Sequence, residues 1–103
     1  ESFANTLRDL YPWMPRALLQ HYGRLYGTRT RQIAGTADSL ADLGRHFGGQ
    51  LYEAEVRYLV KSEWARTAKD VLYRRTKHYL HLTEAEQAAF TAWFDEANLA
   101  SAA

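Results

Sequence analysis

Apolar side chains recur at helical spacing in several short stretches of this sequence, and glycine or proline separates the stretches. The clearest stripe begins after Pro15 and stops at Gly27. Its members are Leu18, Leu19, Tyr22, Leu25 and Tyr26. Because proline is favoured in the first turn of a helix and glycine just past its end, a helix is predicted between these two residues. Together, the stretches predict an all-α fold, a compact bundle of five to six short helices.

Helices are also predicted on both sides of this stripe. Apolar residues from Phe3 to Tyr11 line one helical face, and Pro12 should end that helix because the residue before proline avoids helical geometry. Thr28 is placed to cap a short helix that Gly35 ends. Residues 36–50 contain several glycines, which predicts an ordered loop with one helical turn.

The second half of the chain carries the strongest signals for helix starts. Thr67 with Asp70 and Thr83 with Glu86 have the spacing of a capping box. They open a fifth helix, which runs to about Lys77, and a sixth helix. A fourth helix precedes them, and its predicted apolar face is formed by Tyr52, Val56, Leu59, Val60 and Trp64. No segment has a strand signal stronger than a short apolar run, so we expect no sheet.

A single core should unite these helices, because 103 residues fit one domain and leave little room for a second. We therefore expect one helical domain over residues 1–103. The predicted core consists of Leu18, Leu19, Tyr22, Leu25, Val56, Leu59, Val60, Leu72, Phe90 and Trp93.

Charge and cysteine content exclude several classes of protein. The 13 Lys and Arg against 12 Asp and Glu give a charge of +1, whereas a dedicated nucleic-acid binder usually carries a larger positive excess. No cysteine is present, which excludes a disulfide scaffold and a thiolate zinc site and suits a cytoplasmic location. No apolar run approaches the roughly 20 residues that span a bilayer. We expect a soluble domain.

His78 and His81 are the first candidates for a metal site, because a spacing of three can place two imidazoles on one helical face. A third ligand at a zinc-like spacing is missing, so we predict no metal site and interpret both histidines as exposed or interfacial. His78 also ends a basic cluster with Arg74, Arg75 and Lys77. Acidic residues flank this cluster in the sequence, and it is interpreted as a solvated face, as is a second basic cluster of Arg24, Arg29 and Arg31.

Glu63 and Arg75 stand out because each falls on an otherwise apolar helical stripe. A charged side chain that faces a core must pair or extend to solvent. We therefore predict a structural ion pair between Glu63 and Arg75, with Glu55 and Asp70 as competing partners for Arg75. A catalytic acid beside an arginine is the less favoured interpretation, because no second acid, base or nucleophile accompanies the pair.

No catalytic or cofactor-binding residue is predicted anywhere in the chain. The serines have no nucleophile-elbow sequence around them. Gly44, Gly48 and Gly49 do not form a dinucleotide fingerprint, because no strand precedes them. The many aromatic residues exceed what a small core readily buries, and some of them should lie at an interface.

One block of sequence resembles a known family. Residues 63–68, Glu-Trp-Ala-Arg-Thr-Ala, and residues 74–77, Arg-Arg-Thr-Lys, are its most specific parts. Upstream of them, residues 26–29, 42–44 and 47–48 occur in the order that the family shows. They resemble the C-terminal helical domain of aerobic, flavin-linked glycerol-3-phosphate dehydrogenase. Where that family often has a glycine, this chain has Tyr79 after His78, which affects how helix five ends.

The resemblance implies a parent enzyme that oxidises sn-glycerol 3-phosphate to dihydroxyacetone phosphate. It implies that FAD takes the hydride and that membrane quinone takes the electrons, with the flavin and substrate sites in an N-terminal portion that this chain lacks. The chain would then be a C-terminal cap that contacts the catalytic FAD domain of the same polypeptide or a second copy of itself. The parent would lie on the inner face of the cytoplasmic membrane. The alternative is a free-standing helical module that binds nucleic acid or protein.

Overall fold

Helices make up most of the computed structural model, which describes residues 8–73 and 76–97. Residues 8–10 are helical. The longer elements are α1 (Arg16–Tyr26), α2 (Thr30–Ala34), α3 (Glu53–Ser62), α4 (Ala68–Tyr73) and α5 (Glu84–Ala97). Short 3₁₀ turns span Gly27–Arg29, Leu40–Leu43 and His78–His81. The predicted all-α class is confirmed.

The first helices end where the sequence predicts. Helix α1 follows Pro15, and Gly27 closes it with a φ of 55°. Gly35 closes α2 with the same φ, a value that glycine adopts without the steric penalty of a Cβ atom. The cap predicted at Thr28 is wrong. Thr28 lies inside a 3₁₀ turn that continues directly into α2, which has no side-chain cap hydrogen bond.

A small hairpin corrects the expectation that no sheet is present. Strands β1 (His46–Gly48) and β2 (Leu51–Tyr52) pair antiparallel. Gly48 and Gly49, both with positive φ, allow the chain to reverse between them. The strands are too short for alternation to be visible in the sequence. The helical turn predicted in this loop is confirmed by the 3₁₀ turn at Leu40–Leu43.

The end of α3 corrects another prediction. The helix stops at Ser62, and the Ala65 N–H donates to the Leu59 carbonyl at 3.0 Å across the turn. Trp64, which the sequence places on the apolar face, has a φ of 66° and is 75% exposed. The left-handed backbone at this position turns its side chain away from the core.

Both predicted capping boxes are present. The Asp70 N–H donates to Thr67 Oγ1 at 3.1 Å, and the Thr67 N–H donates to the Asp70 carboxylate at 3.1 Å. Thr83 and Glu86 make the same reciprocal pair at 3.1 and 2.8 Å. The predicted fifth helix, which is α4 in the structure, does not reach Lys77 as expected. Lys77 has a φ of 52°, a left-handed value through which an α-helix cannot continue.

We expect each capping threonine to stabilise the domain measurably. Thr67→Ala and Thr83→Ala should each lower the free energy of unfolding by about 1 kcal/mol, because each leaves a backbone N–H without its side-chain acceptor. The matched control is Thr28→Ala, which removes no capping bond and should change the free energy by less than about 0.5 kcal/mol. Urea denaturation measures all three. Equal losses in the capping and control variants would contradict the assignment.

One hydrophobic core joins the helices and the hairpin. Seven of the predicted core residues are buried: Leu18, Tyr22, Val56, Leu59, Val60, Leu72 and Phe90. Leu19, Leu25 and Trp93 are partly buried and pack against that core. Helix α5 covers α4 and β1, and α2 packs on α3. This arrangement places the first turn of α3 at the centre of the domain.

Candidate functional site

Three side chains from distant parts of the sequence meet in the core. His21 comes from α1, Glu55 from the first turn of α3, and His78 from the last 3₁₀ turn. His21 Nε2 lies 3.2 and 3.0 Å from Glu55 Oε1 and Oε2, and His78 Nε2 lies 3.0 Å from Oε1. The two imidazole centroids are 4.8 Å apart. We call these three residues the His-Glu-His cluster.

Helical periodicity places two of these residues in the core. His21 follows Leu18 by three positions on the buried face of α1. Glu55 precedes Leu59 by four on the buried face of α3. At the N-terminal end of that helix its carboxylate also gains from the positive end of the helix dipole. His78 lies in the 3₁₀ turn that comes after α4 in the sequence, and its contact with Glu55 brings this turn against the first turn of α3.

Glu55 is completely buried, yet its carboxyl group is held in the charged form. Burial by itself would raise the pKa of Glu55, but hydrogen bonds from His21 and His78 and their electrostatic attraction outweigh it and lower the pKa from 4.5 to about 2. The Tyr26 hydroxyl donates to Oε2 at 2.5 Å. Because an ionised carboxylate only accepts hydrogen bonds, each histidine Nε2 must carry the donated proton.

The Tyr22 hydroxyl is buried beside this cluster. The ring of Tyr22 lies 5.5 Å from that of His21, and its hydroxyl has no hydrogen-bond partner among the described residues. Burial, together with the negative charge of Glu55, raises the pKa of Tyr22, so the hydroxyl stays protonated. A buried hydroxyl without a partner is unusual in a folded protein.

This cluster is poorly placed to act on a substrate. The exposed fractions of His21, Glu55 and His78 are 7%, 0% and 1%. A cleft of about 610 Å³ opens between α2 and α3, but it is lined by other side chains, Arg57, Tyr58 and Lys61 among them. A general acid or base must reach the proton that it transfers, and these groups have no path to one in this cleft. The cluster can hold helices together and can bind a cation.

The lowered pKa of Glu55 predicts a loss of stability in acid. The carboxylate contributes stability above a pH of about 4.5, and this contribution is lost as the pH falls toward about 2. From the pKa difference it amounts to about 3 kcal/mol. His21, His78, Tyr22 and Tyr26 are the other titratable groups that face it. Denaturant midpoints measured from pH 6 to 2 in metal-free buffer should fall more steeply for the unmodified chain than for Glu55→Gln. Parallel curves would contradict the assignment.

The structure confirms some of the interpretations of individual residues made from the sequence and corrects others. Glu63 Oε2 accepts from Arg29 Nη1 at 3.1 Å and from the Tyr58 hydroxyl at 3.2 Å. Arg75 lies outside the described residues, so its ion pair with Glu63 stays a prediction. His81 is exposed as expected, whereas the interpretation of His78 as exposed or interfacial is wrong.

The predicted basic clusters are only partly described. Arg24, Arg29 and Arg31 are exposed, as a solvated face requires. Arg74 and Arg75 are outside the described residues, and the burial of His78 removes it from any basic surface.

The glycines of the hairpin region do not fit FAD, the cofactor that the sequence resemblance implies. A Cβ atom added at Gly44 would lie 2.8 Å from Glu53 Oε1, and one at Gly48 would lie 2.8 Å from Glu86 Oε1. Carboxylates therefore fill the space beside both backbones and would repel a pyrophosphate. The strands there are antiparallel, whereas a dinucleotide cradle requires a strand that leads into a helix of a parallel sheet. None of the described helices is long and apolar enough to cross a membrane.

Comparison with known proteins gives a consistent result. A family model described as the C-terminal domain of alpha-glycerophosphate oxidase matches residues 2–97. The chain is 72% identical over 99 residues to D-erythritol 1-phosphate dehydrogenase of Brucella abortus (strain 2308). The aligned residues are 96% of this chain and 20% of that protein.

Two further relatives carry names of glycerol-3-phosphate dehydrogenases. The aerobic enzyme of Escherichia coli (strain K12) is 41% identical over 96 residues, which are 93% of this chain and 19% of that protein. The Pseudomonas aeruginosa enzyme is 42% identical over 87 residues, which are 84% of this chain and 17% of that protein. The chain thus spans about a fifth of the length of these relatives. The resemblance found in the sequence is confirmed, and the chain belongs to the family described as the C-terminal domain of alpha-glycerophosphate oxidase.

Proposed function

We propose that this chain is the helical C-terminal cap of an FAD-dependent dehydrogenase of polyol phosphates and supplies no reacting group itself. The family match over residues 2–97 carries this proposal. The aligned segment is about a fifth of each relative, the share expected of one domain in a larger enzyme. The closed His-Glu-His cluster and the carboxylates beside Gly44 and Gly48 support it. In the full-length enzyme the N-terminal portion would bind FAD and substrate, and electrons would pass to membrane quinone at the inner face of the cytoplasmic membrane.

The substrate proposed first is D-erythritol 1-phosphate. The relative with that name shares 72% of aligned residues with the chain, whereas two relatives named for glycerol 3-phosphate share 41% and 42%. The sequence resemblance alone favours sn-glycerol 3-phosphate, which is therefore the second candidate. Both compounds are short polyol phosphates, so one active-site chemistry serves either.

A dye-linked assay of the full-length enzyme with both compounds tests the substrate. We expect kcat/KM to be at least about tenfold higher for D-erythritol 1-phosphate, a difference of about 1.4 kcal/mol in transition-state binding. A preference for sn-glycerol 3-phosphate would assign the second candidate. Turnover of neither compound would contradict the proposed class of enzyme.

Exposed apolar side chains support a docking role for the domain. Leu10, Trp64, Tyr73 and Leu80 are 43%, 75%, 51% and 60% exposed. The Tyr73 ring stacks on Tyr79 at 4.7 Å, which presents a flat aromatic pair beside Leu80. Interfaces within one polypeptide typically bury about 600–1,500 Å². We propose that the catalytic FAD domain of the same polypeptide covers some of these exposed side chains, and that membrane and quinone are reached only through that domain.

The chain on its own should be inert as an oxidoreductase. We expect it to be colourless after purification, to retain no FAD and to oxidise neither polyol phosphate. Turnover by the chain alone would refute the cap proposal. Tight, salt-sensitive DNA binding by the chain would instead favour the free-standing binding module.

A further inference from the structure

We propose that His21, Glu55 and His78 form a binding site for one Zn²⁺ ion, which would join α1, α3 and the last 3₁₀ turn. Each of the three residues presents a ligand atom, and these atoms all lie within 4.8 Å of one another. The proposal concerns the interior of this domain and does not depend on which substrate the full-length enzyme oxidises.

The spacing of the donor atoms suits a tetrahedral ion. Zinc binds imidazole nitrogen and carboxylate oxygen at about 2.0–2.2 Å, which separates neighbouring ligand atoms by about 3.4 Å. The Nε2 atoms of His21 and His78 lie 3.0–3.2 Å from the Glu55 oxygens. These separations need to expand by a few tenths of an ångström to admit the ion, and the two imidazole donors, which lie within 4.8 Å of each other, must also come to about 3.4 Å.

Two nitrogen donors and one carboxylate are a ligand set that zinc accepts. The carboxylate is buried and requires a positive partner there, because an unpaired buried charge is strongly destabilising. Either a proton shared with the histidines or a divalent cation can supply this positive partner. Zinc binding would replace the Nε2 protons, so the ion and protons compete for the same atoms.

Neighbouring hydroxyl groups complete the surroundings of a metal site. Tyr26 donates to Glu55 Oε2 and so orients the carboxylate, as the partners of metal ligands commonly do. Tyr22 supplies an independent observation, since its buried hydroxyl lacks a partner among the described residues. A water molecule on the fourth position of the ion would offer it one. Because the cluster is enclosed, we assign the ion a structural role.

Titration of the chelator-treated 103-residue chain with Zn²⁺ tests the site. We expect one ion per chain by calorimetry, a rise in melting temperature, and weaker binding as the pH falls from 7.5 to 5.5. Co²⁺, which substitutes for Zn²⁺ and absorbs visible light, should give the intense bands of a tetrahedral site in the unmodified chain.

Variants locate the ion. His21→Gln and His78→Gln, which each keep a hydrogen-bond donor for Glu55, should weaken Zn²⁺ binding at least about 100-fold, whereas His81→Gln and His46→Gln should not. Circular dichroism checks that each variant is folded. Zinc that fails to bind the unmodified chain at millimolar concentration overturns the proposal, and so do Co²⁺ bands that are not tetrahedral. Binding that persists in a folded His21→Gln, His78→Gln double variant also overturns it, since the ion then lies elsewhere.

Discussion

Replacing Glu55 by alanine should lower the free energy of unfolding by about 3–5 kcal/mol, the loss expected when one partner is removed from a buried charged network. The substitution leaves His21 Nε2, His78 Nε2 and the Tyr26 hydroxyl without their common acceptor inside the core. It also leaves a small cavity under the first turn of α3. Urea denaturation of the chain in metal-free buffer measures the loss directly.

The matched control lies two residues earlier in the same helix. Glu53 pairs with Arg57 at the surface and accepts a hydrogen bond from the Arg45 N–H. Glu53→Gln should change the free energy of unfolding by less than about 1 kcal/mol, because an exposed i,i+4 ion pair contributes little. If Glu55→Ala is no more destabilising than this control, the His-Glu-His cluster does not stabilise the fold.

Replacing Phe90 by alanine should be destabilising to a similar extent, by about 3–5 kcal/mol. Phe90 is fully buried, and its ring packs edge-on against Phe47 of the hairpin at 4.9 Å and beside Phe94 at 5.9 Å. Its loss opens a cavity between α5 and the hairpin, which the aromatic neighbours can fill only in part. Thermal and urea unfolding should show the loss together.

Asp95→Ala is the control for Phe90, because Asp95 is an exposed residue of the same helix. We expect it to alter the free energy of unfolding by less than about 0.5 kcal/mol. A loss for Phe90→Ala of under about 1 kcal/mol would mean that the hairpin is not packed on α5 as the structure describes.

Local signals predicted most of the helical architecture. Gly27, Thr67 and Thr83 each act within a few residues of their position, so their roles are visible in the sequence without the fold. The hairpin was not predictable in this way, because two- and three-residue strands carry no periodicity and depend on burial of Phe47 and Leu51. Trp64 was misplaced because a left-handed residue ended α3 earlier than its apolar stripe suggested.

The cluster shows where sequence reasoning could have gone further. His21 and Glu55 lie at helical spacing from Leu18 and Leu59, so periodicity places both on buried faces, the same signal that singled out Glu63. His78 gave no such signal, because it lies in a 3₁₀ turn whose position depends on how the chain leaves α4. The contact among residues 21, 55 and 78 depends on the tertiary fold, and local patterns in a single sequence do not reveal it.

Helix α3 connects the stability of the domain with its proposed function. Its first turn carries Glu55, and its outer face carries Glu53 and Arg57 beside the open cleft. Loss of the buried network should therefore loosen the cap as a whole and, with it, the contact that we propose with the catalytic domain. Flavin retention in the full-length enzyme should follow the stability of this domain, since a bound cofactor and a docked domain stabilise one another.

Turnover per bound flavin in the full-length enzyme carrying Glu55→Gln tests most directly whether this domain is a structural cap. It is to be measured with a dye acceptor below the melting temperature of the variant, beside melting temperature and flavin content. We predict that melting temperature and flavin retention fall while kcat per bound flavin stays within about twofold of the unmodified enzyme, because the proposed cap contributes no group that touches the substrate. A fall in kcat per bound flavin of tenfold or more, about 1.4 kcal/mol in activation free energy, with melting temperature and flavin content unchanged, would contradict this account.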